Sequence, residues 1–331
     1  MTGAAPLVGQ PDMADLTSTT LTFDHLAGWD ADDHAAALTV FRNTCDALPV
    51  NWADICDLAR TTTNARTFFE RNFQPVLIQD GTPMLFTGYY EPELAGSLTP
   101  DATHRYPIFA MPPNLPQDRP WLTRKQIEQS KALLGQGLEL AWLDDPADVF
   151  FLQVQGSGRI KLPSGQVIRV GYAGKNHHPY SSIGGELVAR GIFTTDQVSA
   201  DAIRQWLHAH PDQISELLWT NASYVFFRTI TKVPADHGPL GVMNRSVTPL
   251  RSIAVDPGVV PLGAPVWIEK AGDEPMNRLM VAQDTGSAIK GAQRADIFYG
   301  TGAKAGQAAG RVRDTGRMVV LLPKTMPNAK P

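Results

Sequence analysis

Two aspartates near the C-terminal end of the chain have the type and spacing of an acid/base pair. Asp284 follows the apolar run 279–282 and precedes a glycine loop, and Asp296 stands just ahead of the apolar and aromatic residues 297–299. A carboxyl group in an apolar wall has a raised pKa, because burial disfavours its charged form. Such a carboxyl can keep its proton near neutral pH, as a general acid must. Asp296 is therefore the candidate acid.

The same acids also allow structural interpretations. Asp284 precedes Thr-Gly, and aspartate is common at such strand ends because it accepts bonds from nearby backbone N–H groups. Asp256, in AVDPGVVPLG, has the same local form, and for this residue alone a plain Asp-Pro-Gly turn is favoured. Three acids at strand ends of one β region could also converge on a single site.

The sequence favours neither a metal centre nor a nucleophilic serine. A calcium site needs several oxygen ligands that are usually clustered in sequence, and no EF-hand spacing is present. The histidines form no HExxH pattern, and His177 and His178 are predicted to lie in a loop. The Gly-Ser-Gly of residues 156–158 lacks the G-x-S-x-G spacing and fits a close backbone approach to a ligand or a β-bulge. We therefore expect no metal and no cofactor.

Composition narrows the class of protein. The chain has 331 residues, 43% apolar and 19% charged, which is enough for two packed domains. The net charge of −4 gives no basic excess for nucleic acid or an anionic membrane. Cys45 and Cys56 fit a buried thiol pair or a disulfide equally well.

No stretch approaches the roughly 18 apolar residues of a membrane helix. Residues 1–20 show neither a basic n-region nor an apolar h-region, so no export signal is visible. The sequence then predicts either a protein that stays inside the cell or a mature or trimmed chain.

The first third is predicted to be helical. Residues 30–48 carry apolar side chains at helical spacing, with Asp30 or Asp32 as N-cap, and 51–60 and 63–73 resemble two further short helices.

The middle of the chain alternates strand-like runs with helices. A helix is predicted from the N-cap Thr123 to Gly135 just past its end. Residues 148–174 predict a strand hairpin, in which Gln153 and Gln155 share one strand face. Further helical patterns lie at 181–190, 196–209 and 211–219.

In the last third, short apolar runs are split by glycine and proline and interrupted by a helical pattern at 302–312. Many short strands favour a closed barrel over a parallel α/β sheet. The polar stretches 95–105 and 233–241 are candidate boundaries. If both are boundaries, the middle is an insertion, and a cleft separates it from a domain made by the flanks.

The middle segment also offers planar amides, hydroxyls and aromatic rings beside glycine-lined backbone, as a groove for a polar polymer would. These side chains are Tyr89, Tyr90, Glu91, Gln153, Gln155, Tyr172, Lys175, Asn176, Ser181 and Ser182.

Seven stretches, in order, resemble the membrane-bound lytic murein transglycosylase A family. They are FTGYYEPEL, YPIFAMPP, FFLQVQGSGRIKL, YAGKNHHPYSSIG, NASYVFFR, GPLGVMNRSVTPLRSIAVDPGVVPLGAPVW and QDTGSAIKGAQRADIFYGTG. The resemblance covers roughly residues 75–325, and its last two motifs are similar to the domain named for three aspartates, here Asp256, Asp284 and Asp296.

The resemblance implies a fold that is mainly β with α and has a helical N-terminal part. A double-psi β-barrel domain would comprise 1–97 and 237–331, and a smaller inserted β domain, 98–236, would form the other wall of a glycan cleft. The implied reaction cleaves the MurNAc–GlcNAc β-1,4 bond of peptidoglycan without water. The muramyl 6-hydroxyl attacks C1 and leaves a 1,6-anhydro ring.

Position by position, the family's catalytic acid falls on Asp296, and Asp284 matches a nearby acid with an orienting or electrostatic role. After protonating the leaving oxygen, Asp296 could accept the 6-hydroxyl proton, so that one residue serves both steps. The implied substrate contacts are Tyr90, Glu91, Gln155, Gly156, Ser157, Gly158, Lys175, Asn176, Ser181, Ser182 and Asp256.

The resemblance also implies a place in the periplasm facing the cell wall. Family members usually carry an export signal, often with a lipidated cysteine; neither is visible here, and Cys45 and Cys56 lie too far into the chain to be lipidated. The expected partners are peptidoglycan glycan strands, with other cell-wall enzymes as candidates, no nucleic acid, and a monomeric state. Two alternatives stay open: an inverting glycoside hydrolase using Asp284 and Asp296 with a water between them, and a non-catalytic peptidoglycan-binding module.

Overall fold

The computed structural model describes residues 16–324. The prediction of no export signal concerns residues that, apart from 16–20, lie outside this range. The helices are α1 (His34–Thr44), α2 (Ala53–Thr61), α3 (Ala65–Asn72), α4 (Arg124–Ser130), α5 (Pro146–Gln155), α6 (Ile183–Ala189), α7 (Ala200–Ala209), α8 (Ile214–Trp219) and α9 (Ala303–Arg311). Within 16–324, no helix has the length and apolarity needed to cross a bilayer.

The strands occur both between the helices and in consecutive runs along the chain. They are β1 (Thr17–Thr20), β2 (Phe73–Gln79), β3 (Leu85–Glu91), β4 (Glu93–Ser97), β5 (Tyr106–Phe109), β6 (Glu139–Leu143), β7 (Ser157–Lys161), β8 (Val167–Lys175), β9 (Val225–Ile230), β10 (Ser252–Val255), β11 (Pro265–Lys270), β12 (Met276–Asp284), β13 (Arg294–Thr301), β14 (Arg313–Asp314) and β15 (Gly316–Pro323).

The fold divides into two compact units. Among the described residues, unit 1 takes in 16–87, Gly241–Phe298 and 312–324. Unit 2 takes in Gly88–Leu240 and Tyr299–Arg311. The domain division expected from the sequence, with changes at 97/98 and 236/237, stays a prediction.

Unit 1 is built on a sheet with the strand order β1-β2-β15-β11-β12-β10-β13-β3-β14. Most of its ladders are antiparallel, whereas β10 pairs in parallel with β12. The order runs between two end strands, so the ladders of the described residues do not close on themselves. The fold is therefore mixed α and β with two sheets, and the closed barrel predicted from the sequence is not confirmed.

The N-terminal helices cover part of unit 1 with aromatic side chains. Phe41 of α1 contacts Phe68, Phe69 and Phe73, and all four rings are buried. The predicted helices are confirmed, but the N-cap of α1 is Asp33, whose carboxylate accepts a bond from the Ala36 amide, and not Asp30 or Asp32. Aspartates at several adjacent positions cannot be separated as caps by residue type alone.

Cys45 and Cys56 form a disulfide that joins the end of α1 to α2. Of the two possibilities left open by the sequence, the disulfide is the one found. Both residues are also buried, so the bridge lies inside the helical layer.

Unit 2 contains the second sheet, with the order β5-β6-β4-β7-β8-β9. Helix α5 packs Leu152 against Ile160, Val170 and Phe227 of this sheet in one apolar cluster. The β7–β8 hairpin is confirmed, but the predicted lead-in strand at 148–155 is wrong, because this run forms α5.

Local signals explain where α4 and α5 begin. Asp145 caps α5 and Pro146 occupies its first turn, which are helix-starting signals that the apolar run obscured. Thr123 caps α4 as predicted, in a capping box with Gln126. The helix ends at Lys131 in a left-handed conformation, and not near Gly135 as expected.

His34 is a titratable group inside unit 1. It is buried, its ring packs edge-on against Trp29, and among residues 16–324 its Nε2 is a buried atom with no hydrogen-bond partner. Burial, the largest cause, lowers the pKa of His34 from its ordinary value of 6.5. The folded state therefore favours neutral His34.

We expect acid to destabilise the fold through His34. Below its ordinary pKa of 6.5, the unfolded chain binds a proton that the folded chain takes up only at lower pH, so the free energy of unfolding falls. His34→Phe keeps a ring against Trp29 but cannot titrate. Its Tm should fall less than that of the wild type between about pH 7 and pH 5 in thermal unfolding. The carboxylates titrate in both proteins, so equal slopes would contradict the prediction.

Candidate active site

Asp284 and Asp296 lie in one row across three strands. Ala254 of β10 is the Cα partner of Asp296 on β13 and of Asp284 on β12. Directly opposed residues project to the same face of a sheet, so the two carboxyl groups share a face with the small Ala254 between them. Two strand spacings separate their Cα atoms, which corresponds to about 10 Å. The sequence predicted a pair, and the register brings it together.

A β-bulge in β12 creates this row. Ile253 pairs with Ala282, whereas the next residue of β10, Ala254, pairs with Asp284, so Gln283 is an extra residue on β12. Without the extra residue, the position opposite Ala254 would be 283 and Asp284 would face the other side. The bulge therefore selects which side chain of β12 stands in line with Asp296.

The environment of Asp296 suits a general acid. The residue is half-buried and its neighbours Ala295 and Ile297 are fully buried. Burial is the largest influence and raises the pKa of Asp296, while the Thr87 hydrogen bond and the charge of Arg294 lower it. The net rise favours the protonated carboxyl.

Thr87 and Arg294 orient this carboxyl. The Thr87 hydroxyl donates to Asp296 Oδ1 at 2.6 Å, and Arg294 Nη2 donates to Thr87 Oγ1 at 2.9 Å. Because Arg294 occupies the oxygen as a donor, the hydroxyl proton is directed to Asp296. In the protonated form of Asp296, this leaves Oδ2 as the oxygen that carries the proton.

Neither partner was singled out from the sequence. Arg294 lies two residues before Asp296 in the same strand, so the period of a strand places both on one face and could have indicated it. Thr87 lies in β3, next to β13 in the sheet. No local sequence signal reports that pairing.

The other two aspartates bind backbone. Asp284 Oδ1 accepts from the amides of Val242 at 3.0 Å and Thr285 at 2.9 Å. Asp256 accepts from Gly258 at 3.1 Å and Gly291 at 3.0 Å. Both aspartates thus also fix loops, as the turn interpretation predicted.

Asp256 also meets a cation. Lys290 Nζ lies 3.5 Å from Asp256 Oδ1. Among residues 16–324, no three His, Cys, Asp or Glu side chains are grouped as ligands for a metal ion. The carboxylates of this region are arranged around backbone amides and a lysine.

Glu91 was predicted to contact substrate, and the structure places it differently. It is 0% exposed, and its oxygens accept from Arg159, Arg169 and the hydroxyl of Thr301. Both arginines also donate to the carbonyl of His237. A buried charge needs such partners, so we correct the role of Glu91 to holding β7, β8 and the 234–237 loop together.

Asn176 needs a similar correction. It is fully buried, its Nδ2 donates to the carbonyls of Leu122 and Ala222, and its Oδ1 accepts from the Tyr224 amide. The Asn176 side chain therefore links the segments of Leu122, Ala222 and Tyr224 by hydrogen bonds inside the fold. A polar residue in a loop was expected to be exposed to substrate. Buried backbone groups of a loop also need hydrogen-bond partners, and Asn176 supplies them here.

Gln155 ends α5 instead of lying on a strand face. Its Oε1 accepts from the Tyr90 amide at 3.1 Å, and Gln153 is buried against Arg124. The two glutamines therefore do not form one exposed face. Gln155 remains half-buried next to Tyr90.

The glycines of the Gly-Ser-Gly stretch have structural explanations. Gly156 adopts a left-handed conformation that ends α5. A Cβ at Gly158 would lie 2.4 Å from Leu152 Cδ1, so glycine lets the hairpin approach the helix, and Ser157 between them is buried.

The remaining predicted contacts of unit 2 keep some exposure. Tyr90 and Lys175 are half-buried, and Ser181 and Ser182 are exposed. Ser182 also caps α6 by accepting from the Gly185 amide. The Tyr90 ring lies against Gly306 of α9, where a Cβ would come within 2.8 Å of the ring.

Comparison with known proteins matches this chain to defined families. Residues 85–228 match the model of the MltA specific insert domain, and residues 251–322 match that of the 3D domain. The membrane-bound lytic murein transglycosylase A of Escherichia coli K12 is 33% identical over 323 residues, which are 91% of this chain and 84% of that protein.

Solved structures give the same result. A membrane-bound lytic murein transglycosylase from Agrobacterium tumefaciens is 34% identical with a TM-score of 0.84, over 93% of this chain and 98% of that one. E. coli MltA with bound chitohexaose is 30% identical with a TM-score of 0.73, over 96% and 93%. Sequence identity, coverage and structural similarity agree: the chain belongs to the membrane-bound lytic murein transglycosylase A family.

Proposed function

We propose that this protein is a lytic transglycosylase that cleaves the MurNAc–GlcNAc β-1,4 bond of peptidoglycan and leaves a 1,6-anhydromuramyl end. The observation that carries the proposal is Asp296, a carboxyl with a raised pKa in line with Asp284. Membership of the family supports it, and so does the relative with bound chitohexaose.

Asp296 is the proposed general acid. Its Oδ1 is engaged by Thr87, so Oδ2 donates its proton to the oxygen that links the two sugars as the C1–O bond breaks. The developing carboxylate is stabilised by the same Thr87 bond and by the charge of Arg294. The residue therefore loses its proton with partners already in place.

The carboxylate then serves as the base. It accepts the proton of the muramyl 6-hydroxyl while that oxygen bonds to C1, and the carboxyl returns to its starting state. No water enters the product, and one residue does the work of an acid and a base. Because the nucleophile belongs to the substrate, little entropy is lost in placing it.

We propose that Asp284 supports this step by its charge and that the glycan is contacted by Tyr90, Lys175, Ser181, Ser182 and Asp256. Glu91, Asn176 and Gln155 would hold these contacts in place from within the fold, and residues 156–158 would bring backbone close to the sugar.

The finer architecture and setting are also proposals. The sheet of unit 1 would correspond to a double-psi β-barrel, supported by the parallel β10–β12 pair in an otherwise largely antiparallel sheet. The domains would be 1–97 with 237–331, and 98–236. The Cys45–Cys56 disulfide supports a place in the oxidising periplasm, where a monomer would act on glycan strands beside other cell-wall enzymes.

Asp296→Asn should slow cleavage strongly, because an amide supplies neither the acid proton nor the base. We expect a fall in rate of about 10³-fold, with binding to peptidoglycan sacculi retained. Mass spectrometry of digested sacculi should show anhydro ends from the wild type, about 18 mass units lighter than reducing ends. Asp273→Asn, at an exposed aspartate of the same unit, is the matched control and should cleave normally.

Other products would contradict this proposal in defined ways. Reducing ends would identify a hydrolase, with Asp284 as the base that activates a water. Binding without any cleavage by the wild type would favour a peptidoglycan-binding module.

Thr87→Val should move the alkaline limb of the pH–rate profile to higher pH. The Thr87 hydrogen bond lowers the pKa of Asp296, whereas burial raises it. Loss of the bond should therefore raise this pKa, and the carboxyl should stay protonated to higher pH. Initial rates on soluble glycan strands across the pH range measure the shift. Thr87→Ser keeps the hydroxyl and should retain the wild-type profile, whereas a shift to lower pH in Thr87→Val would refute the proposed proton placement.

A further inference from the structure

The bulge residue Gln283 is a polar side chain enclosed by unit 1. It is 0% exposed, although it directly precedes the half-buried Asp284. An extra residue in a strand loses its regular place in the ladder. Its conformation must therefore be fixed by other contacts.

The Gln283 amide is bound at both ends by hydroxyl groups. Its Nε2 donates to Thr44 Oγ1 at 2.8 Å, and its Oε1 accepts from the Ser252 hydroxyl. Thr44 in turn donates to the Val40 carbonyl at 2.8 Å, and Ser252 Oγ accepts from the Thr248 amide at 2.8 Å.

Each of the two hydroxyl groups accepts one hydrogen bond and donates one. The direction of every bond in the chain is therefore determined. Thr44 and Ser252 are themselves fully buried. The amide orientation follows: oxygen toward β10 and nitrogen toward α1. A buried network in which every member is satisfied fixes one geometry.

The backbone of Gln283 is also confined. A Cβ at Gly241 would lie 2.6 Å from the Gln283 carbonyl oxygen, so the 241–242 segment lies directly on the bulge. The next amide, that of Val242, donates to Asp284 Oδ1. The bulge and the Asp284 carboxylate are therefore held by the same segment.

We infer that Gln283 is a positioning residue: its side chain, clamped between Thr44 and Ser252, fixes the β12 bulge and so sets Asp284 in the row of Asp296. Gln283 acts through Asp284 and touches no substrate. The effect of Gln283 on the reaction rate rests on the proposed function. Its effect on the position of Asp284 does not.

The test is Gln283→Met, which keeps the length of the side chain and removes both amide bonds. We expect the amides of Val242 and Thr285 to exchange with solvent about fivefold faster, because their shared acceptor moves. We also expect kcat on glycan strands to fall about tenfold with KM unchanged, because Asp284 leaves its place in the row.

Gln293→Met is the matched control. Gln293 is another buried glutamine of unit 1, but its amide binds the carbonyls of Ile78 and Met318. It should lower Tm without changing exchange at Val242 and Thr285. Thr44→Val should reproduce the exchange change of Gln283→Met, and Thr44→Ser should restore wild-type exchange.

Unchanged exchange at Val242 and Thr285 in Gln283→Met would overturn the inference, whatever the effect on Tm. If the wild type proves inactive, the proposed function fails, and the exchange data still decide whether Gln283 sets Asp284.

Discussion

A carboxyl that keeps its proton near neutral pH must lie where its charge would be poorly solvated, yet it must tolerate that charge once the proton has left. Burial raises the pKa of Asp296, and the Thr87–Arg294 pair, which opposes the rise, is in place to stabilise its charge. Strands β3 and β13 supply these groups from distant parts of the chain, and β10 places Ala254 between Asp296 and Asp284. The site therefore depends on register between strands more than on any local motif.

Buried polar groups of two kinds stabilise the two units. In unit 1, uncharged groups hold the bulge of β12. Burying the Gln283 amide there costs little because its oxygen and its nitrogen both have hydrogen-bond partners. In unit 2, Glu91 carries a full charge and is matched by Arg159 and Arg169. Removing one partner of such a group would leave a buried charge uncompensated, which is far more costly than losing a surface ion pair.

Sequence reasoning succeeded where the signal is local. Asp296 ahead of an apolar run predicted a carboxyl with a raised pKa, and Thr123 predicted a helix start. It failed where tertiary partners decide: the apolar run at 148–155 fits a strand or a helix equally well by composition. Glu91 was interpreted as a substrate contact. Its partners Arg159 and Arg169 lie 68 and 78 residues further along the chain, so no nearby residue indicated a buried ion pair. The bulge at Gln283 is a feature of pairing and has no one-strand signature.

Unit 1 is made from separated lengths of chain, and β15 lies between β2 and β11 in its sheet. Gly316–Pro323 is the last of the described strands to be synthesised, so the sheet that carries both aspartates lacks the strand between β2 and β11 until this stretch has emerged. Unit 2 ends at Arg311, so all of it is synthesised before this strand and can fold first, since domains generally fold as units during synthesis. A chain interrupted between Arg311 and Gly316 would therefore contain Asp284, Asp296 and the whole of unit 2, but its first sheet would lack the strand that joins β2 to β11.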